Sequence, residues 1–183
     1  ISEEKLEEAS RLNLQMISPI PVRDAYMSYQ VVAETQDHYD LLGAFSEKVI
    51  VDQYKTLLKA AGFSPVIFEF PALALARLLK ETIGVTKESV LVLQISSDGL
   101  DLIIYLNNSL YFDYFRSWRS IQGEEREISK IMFEEVVTDE VQKVINFSLA
   151  RFKETPKQTF LITTGFESEI KDLLEKRFEL NAV

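Results

Sequence analysis

Residues 90–123, VLVLQISSDGLDLIIYLNNSLYFDYFRSWRSIQG, constrain the fold of this chain more than any other stretch, because they read as three strands joined by two short turns. Residues 90–95 are an apolar run of strand length, 96–99 a turn cluster, and 100–106 a segment rich in Leu, Ile and Tyr. Asn107-Asn108 then links to a third strand over 109–116, since asparagine tolerates the positive φ that tight hairpin turns demand. A first strand that is apolar almost throughout belongs inside a sheet covered on both faces. Helices are therefore expected on either side of this meander.

The rest of the chain is long enough to supply them. With 183 residues and 46% apolar content, it makes one large domain or two small ones around a packed core. A net charge of −9 repels phosphate backbones and anionic membranes, so nucleic acid is not expected as a partner. The absence of cysteine excludes disulfides, thiolate nucleophiles and zinc–cysteine sites, and suits the cytosol. No apolar run reaches bilayer length and no signal peptide is read at the start, so no direct membrane insertion is expected. Opening on Ile1 rather than Met and running straight into a helix, the chain is read as a fragment or a divergent member of its kind.

Taken in order, Ser2 is expected to cap a helix from Glu3 to about Asn13, with Leu6, Ala9 and Leu12 on one face. The two prolines in 17–22 make a loop or edge. Strands over 26–33 and 39–45 then form a hairpin around a turn at 34–37. Ser46 is expected to cap a helix whose buried face is Ile50, Tyr54, Leu57, Leu58 and Ala61, stopped by Gly62. A strand is expected over 64–70. Pro71 opens a helix through about Thr82, ended by Gly84. Residues 124–152 keep a helical period, as one helix or as two divided near Thr138. A strand over 158–163, a turn at Thr164-Gly165 and an amphipathic helix over 166–178 close the chain.

Few residues suggest chemistry of their own. His38, the single histidine, sits in the polar turn Gln-Asp-His-Tyr-Asp and reads as a solvated loop residue, so no Ser-His-Asp arrangement is supported. Asp98 and Asp101 are better explained as a turn-favouring Asp-Gly and a strand-face aspartate than as an acid–base pair or cation site. No EF-hand, H-E-x-x-H or G-x-x-x-x-G-K-[ST] pattern occurs. Tyr105, Tyr111, Phe112, Tyr114, Phe115 and Trp118 read as core on one face of the meander. Strand alternation turns part of the cluster outward, where with Arg116 or Arg119 it suits a protein interface.

The string AAGFSPVIFEFPALALARLL, the meander ending in FRSWRSIQG, the later FLITTGF and the leading EEASRLNLQMISPIPVRDAYMSYQVV together resemble the PilM-type proteins of type IV pilus assembly, relatives of FtsA in the actin-like ATPase superfamily. The resemblance implies an α/β fold. Residues 1–68 would be a small α+β subdomain of the FtsA/PilM 1C type, and 69–183 an actin-like (ribonuclease H-like) 2A subdomain with a mixed sheet and flanking helices. It also implies a cytoplasmic scaffold, peripheral to the inner membrane, that binds the short tail of a membrane-anchored PilN-like partner. Tyr26, Tyr29 and Val31, with the neighbouring helix, are the surface it points to. Oligomeric state stays open, a homo-oligomer included.

The departures from the family pattern bear on chemistry. Its second phosphate loop reads roughly Asp-Ile-Gly-x-x-x-Thr after an apolar strand, and here those places hold Gln94, Ser96 and Leu100, with Ser97 between. A neutral amide does not supply the anionic charge that a magnesium site favours, and leucine has no hydroxyl. The paired glycines of the adenosine loop are reduced to Thr164-Gly165. The family's first subdomain is absent, and the about seventeen residues between Gly123 and Glu140 are too few for its subdomain 2B. The expectation is a degenerate actin-like scaffold with no catalytic residues, no metal and no cofactor. The alternatives are a working ATPase that takes ATP with magnesium in a longer chain, and the cytoplasmic part of a type II secretion platform protein.

Overall fold

A computed structural model describes residues 3–83, 88–107, 109–122, 128–180 and 182–183. The expectations placed on Ser2, Gly84, Asn108 and 123–127 lie outside them. The chain divides into two compact units, Ile1–Phe70 and Pro71–Val183.

The first unit is built on a hairpin. Helix α1 (Glu3–Ile17) leads into strands β1 (Ala25–Glu34) and β2 (Tyr39–Glu47), which pair antiparallel from Ala25 opposite Glu47 to Glu34 opposite Tyr39. Its turn is closed by Thr35, whose N–H and hydroxyl both donate to the His38 carbonyl. The face of α1 that packs is Leu6, Ser10 and Leu14, spaced four apart, whereas Ala9 and Leu12 point to solvent. The expected face was one turn-step off. A Cβ at Gly43 would run into the Leu14 side chain, so α1 lies on the hairpin face that Gly43 and its partner Tyr29 share.

Helix α2 (Lys48–Ala60) follows with no spacer. Ser46 does not cap it, because the ladder runs on through Tyr26–Ser46 and Ala25–Glu47; Glu47 takes the cap position without a side-chain bond. The stop at Gly62 is as expected. Its φ is +87°, its N–H donates to the Lys59 carbonyl at 3.0 Å, and the Phe63 N–H donates to Leu58 at 2.9 Å, the pair of bonds that closes a helix through a left-handed glycine. The expected buried stripe is largely exposed: Ile50, Tyr54 and Leu57 are 46%, 59% and 65% exposed and Ala61 is exposed too, while Leu58, of the same stripe, is half-buried as is Val51. No strand forms over 64–70. This run belongs to no helix and has no ladder partner among the described residues, and Pro65 lacks one of the donors a ladder needs.

The second unit is a four-stranded sheet in the order β5-β4-β3-β6, formed by β3 (Val90–Ile95), β4 (Gly99–Leu106), β5 (Ser109–Ser117) and β6 (Gln158–Thr163). The meander is antiparallel, and β6 joins β3 in parallel, which makes the sheet mixed. Asn107 adopts φ 50° in the β4–β5 link, as that link requires. One face carries Leu91, Leu93 and Ile95 beside Ile104, Leu102 and Leu100, and packs on Val137, Val141 and Val144 of α5 (Lys130–Phe152) and Ile170 and Leu174 of α6 (Glu167–Phe178). On the other face Val90, Val92, Ile103 and Tyr105 are at most 1% exposed. Helix α3 (Pro71–Ile83) packs on β5 and buries Ala72, Ala76 and Leu79. Both faces are thus covered over β3 and most of β4, as the apolar first strand demands, while on the second face Phe115 of β5 and Ile162 of β6 stay 50% and 38% exposed.

Helix α5 is single over its described length. Ser129 caps it by accepting from the Met132 N–H, and Thr138 turns its hydroxyl back onto the Glu134 carbonyl at 2.7 Å instead of opening a second helix. A register shift between Ile104 and Tyr105 makes a bulge at Tyr111 of the facing strand, whose ring meets Phe152 edge-on at 5.4 Å. A short helix α4 (Trp118–Gln122) ends the meander. The outer edge of β6 is covered by the last residues, Val183 exchanging backbone bonds with Thr159 and Leu161.

Candidate functional site

Because β3 and β6 are parallel, with Ile95 beside Thr163, the 96–99 turn and the Thr164-Gly165 turn lie at the same end of the sheet. In open α/β sheets this end of the parallel strands is where ligands commonly bind. The sequence-predicted residues divide here. Gln94 is half-buried in β3 between Asp101 and Ile162; Ser97, Thr164 and Gly165 are exposed; Leu100 is fully buried on the α5–α6 face.

The 96–99 turn is closed upon itself. The Ser96 N–H donates to the Gly99 carbonyl at 3.0 Å, and the N–H groups of Asp98 and Gly99 donate to the Ser96 hydroxyl at 3.2 and 3.4 Å. Trp118 locks it from the side: its indole N–H donates to the Ser96 carbonyl at 2.8 Å, and its backbone N–H to Asp98 at 3.0 Å. Gly99 is required by close approach, since a Cβ there would strike the Arg116 carbonyl oxygen and the Phe115 ring. The second turn is likewise tied down, with the Thr163 hydroxyl donating to Gly165 at 2.7 Å and accepting from its N–H.

Asp98 is exposed in its turn, as a turn-favouring aspartate should be. Asp101 is strained electrostatically. Burial first, and the charge of Asp113 second, push its carboxyl from the usual 3.8 up to about 6. His38 stays in the exposed hairpin turn, 3.0 Å from the Thr35 hydroxyl through Nδ1 and 3.9 Å from Asp40 through Nε2. No group of three or more His, Asp or Glu gathers as a metal cluster among the described residues. No helix searched there is long and apolar enough to cross a membrane.

The three residues of the expected partner surface are not on one surface. The pleat sends Tyr29 and Val31 to the α1 side and Tyr26 to the α2 side. The Tyr26 hydroxyl donates to Asp52 at 3.0 Å, which raises its own pKa, and Lys48 stands 5.8 Å from its ring. On that side Tyr26, Ile50, Tyr54, Val66, Phe68 and Phe70 border a groove of about 550 Å³. The sequence reading found one wall of this groove and missed the other. The other wall is the 64–70 segment, where a strand is expected and none forms; the signal against it is its proline. Of the aromatic cluster, Tyr105 and Trp118 are buried, Tyr111, Phe112 and Tyr114 pack half-buried against the core, and Phe115 is 50% exposed.

No family model matches the chain, and no curated protein matches it. Solved structures do. The whole chain superposes on a chain of the PilM-PilN type IV pilus biogenesis complex with a TM-score of 0.74 at 16% identity. Over 96% of its length it superposes on a Bacteroides thetaiotaomicron protein with an actin-like ATPase fold and unknown function, with a TM-score of 0.55 at 11% identity. The chain spans 62% and 60% of the length of these two structures. At these identities the likeness shows the fold: PilM-like and actin-like, α/β, with a mixed sheet flanked by helices.

Proposed function

We propose that this chain is a scaffold or adaptor of a type IV pilus-like assembly apparatus, that it binds the short cytoplasmic tail of a membrane-anchored PilN-like partner, and that its nucleotide site is degenerate. Such a chain would sit on the cytoplasmic side of the inner membrane, held there through its partner. The observation that carries the reading is the likeness, over its full length, to a chain of a pilus biogenesis complex. The groove of the first unit supports it, because an apolar stripe at helical spacing, left open beside the segment 64–70, suits a short peptide.

The end of the sheet supports the second half of the reading. The residues there do not fit a magnesium–phosphate group: position 94 is an amide, Leu100 faces the core, and three N–H groups of the turn are spent within it. One observation favours the alternative of a working ATPase, namely that the parallel pair brings both turns to the usual ligand-binding end. Calorimetric titration of the partner's tail peptide tests the scaffold reading. Saturable binding on the order of micromolar is expected, weakened about tenfold or more by Ile50→Asp or Tyr54→Ala. No binding, or binding indifferent to both substitutions, overturns it.

A further inference from the structure

Phe166 is placed against its own preferences. It is the N-cap residue of α6 with φ 58° and ψ 26°, it makes no side-chain cap bond, and it is 70% exposed. N-caps favour Ser, Thr, Asp or Asn, and a bulky side chain at positive φ is an outlier. The other non-glycine residues at positive φ have ordinary reasons: Asn107 turns a hairpin, and Lys153 and Glu179 close helix C-termini. Phe166 ends a row of rings, 6.2 Å from Phe133, which is itself 5.7 Å from Trp118. Beneath it Ile128, Phe133, Ile170 and Leu173 line an apolar cavity of about 210 Å³ between the starts of α5 and α6.

The size and charge of this cavity restrict its occupant. It falls below the roughly 300 Å³ at which small-molecule sites begin, and it suits a single anchoring side chain. At its rim Lys130 is engaged by Glu134 at 3.8 Å, and Lys171 nearby by Glu167 at 2.8 Å. Glu169, also in the lining, makes no ion pair among the described residues. The chain's net charge of −9 draws basic partners at longer range. We propose that this cavity is a docking site for a protein partner that inserts one aromatic side chain flanked by an arginine or lysine. The inference concerns the second unit alone and does not rest on the pilus reading.

Titration of N-acetyl-Arg-Trp-amide into the isotope-labelled chain, followed by NMR, tests it. Saturable shifts at Phe133, Ile170 and Leu173 are expected on the order of millimolar, the range open to so small a probe. The acidic analogue N-acetyl-Glu-Trp-amide binds about fivefold more weakly, and N-acetyl-Arg-Ala-amide leaves these residues unmoved. Phe166→Ala weakens the basic probe about tenfold, while Glu169→Gln removes the preference for it over the acidic one but keeps the aromatic contact. Four outcomes overturn the proposal: no saturable shift, equal binding of the two charged probes, indifference to Phe166→Ala, or equal occupancy by free indole. Concentration-dependent shifts of the same residues without any probe also overturn it, because they make a second copy of the chain the occupant.

Discussion

Asp101 stands on β4 opposite Phe115, with Asp113 diagonally across on the same face of β5. Since its carboxyl is raised to about 6, the folded chain holds that proton more tightly than the unfolded chain does. The unfolded chain therefore carries fewer protons between about pH 4 and 6, and stability falls as pH rises through that window, with the loss complete above the folded value. Asp101→Asn should flatten this part of the pH–stability profile in urea unfolding. At pH 7 it should add on the order of 1 kcal/mol, a figure already reduced for the partial exposure of the group. Phe166 gives a second test at this scale. Phe166→Gly relieves the positive φ and should raise stability by about 1 kcal/mol, whatever it does to binding. Neither feature could be read from the chain: a strand-face aspartate is ordinary until its cross-strand neighbour is known, and nothing in Thr-Thr-Gly-Phe-Glu says which residue turns left-handed.

At the scale of elements, local signals held where the chain closes its own interactions. The Gly62 stop needs only Leu58 to Phe63, so it was legible, as was the meander, whose strands pair with their sequence neighbours. Gly62→Ala should cost about 1 kcal/mol by forcing an alanine into the left-handed region, a loss that thermal unfolding of the chain would register. Ser129→Ala should cost about as much by removing the α5 cap. The signals failed where a partner element decides the outcome. The stripe Ile50, Tyr54, Leu57 has the period of a buried face, but a period cannot supply what lies against it. Residues 64–70 have strand composition, but a strand also needs an edge to pair with. Ser46 lost its capping role to two more rungs of the hairpin ladder, and tertiary pairing of that kind leaves no mark on the residue itself.

For the whole molecule, the fold and the turn proposed as a degenerate phosphate loop meet in one residue. The resemblance sets Leu100 where the family keeps a threonine; the side chain lies at 0% exposure between Ile95 and the α5–α6 core. A residue there cannot serve both purposes at once, because a side chain turned toward a phosphate would leave the core and one turned into the core cannot reach the ligand. Leu100→Thr therefore separates the two accounts of the molecule. If the turn is now a structural closure, the substitution removes buried methyl groups and places a hydroxyl in an apolar layer. Urea unfolding should then show a loss of about 2–4 kcal/mol, and calorimetry should detect no magnesium-ATP binding by the variant, alone or with Gln94→Asp. The parent chain should also fail to bind, and so should a chain of the length of its structural neighbours. A stable Leu100→Thr variant that takes up magnesium-ATP would mean that the turn can open toward a nucleotide. The degenerate-site reading would then give way to that of a nucleotide-gated scaffold.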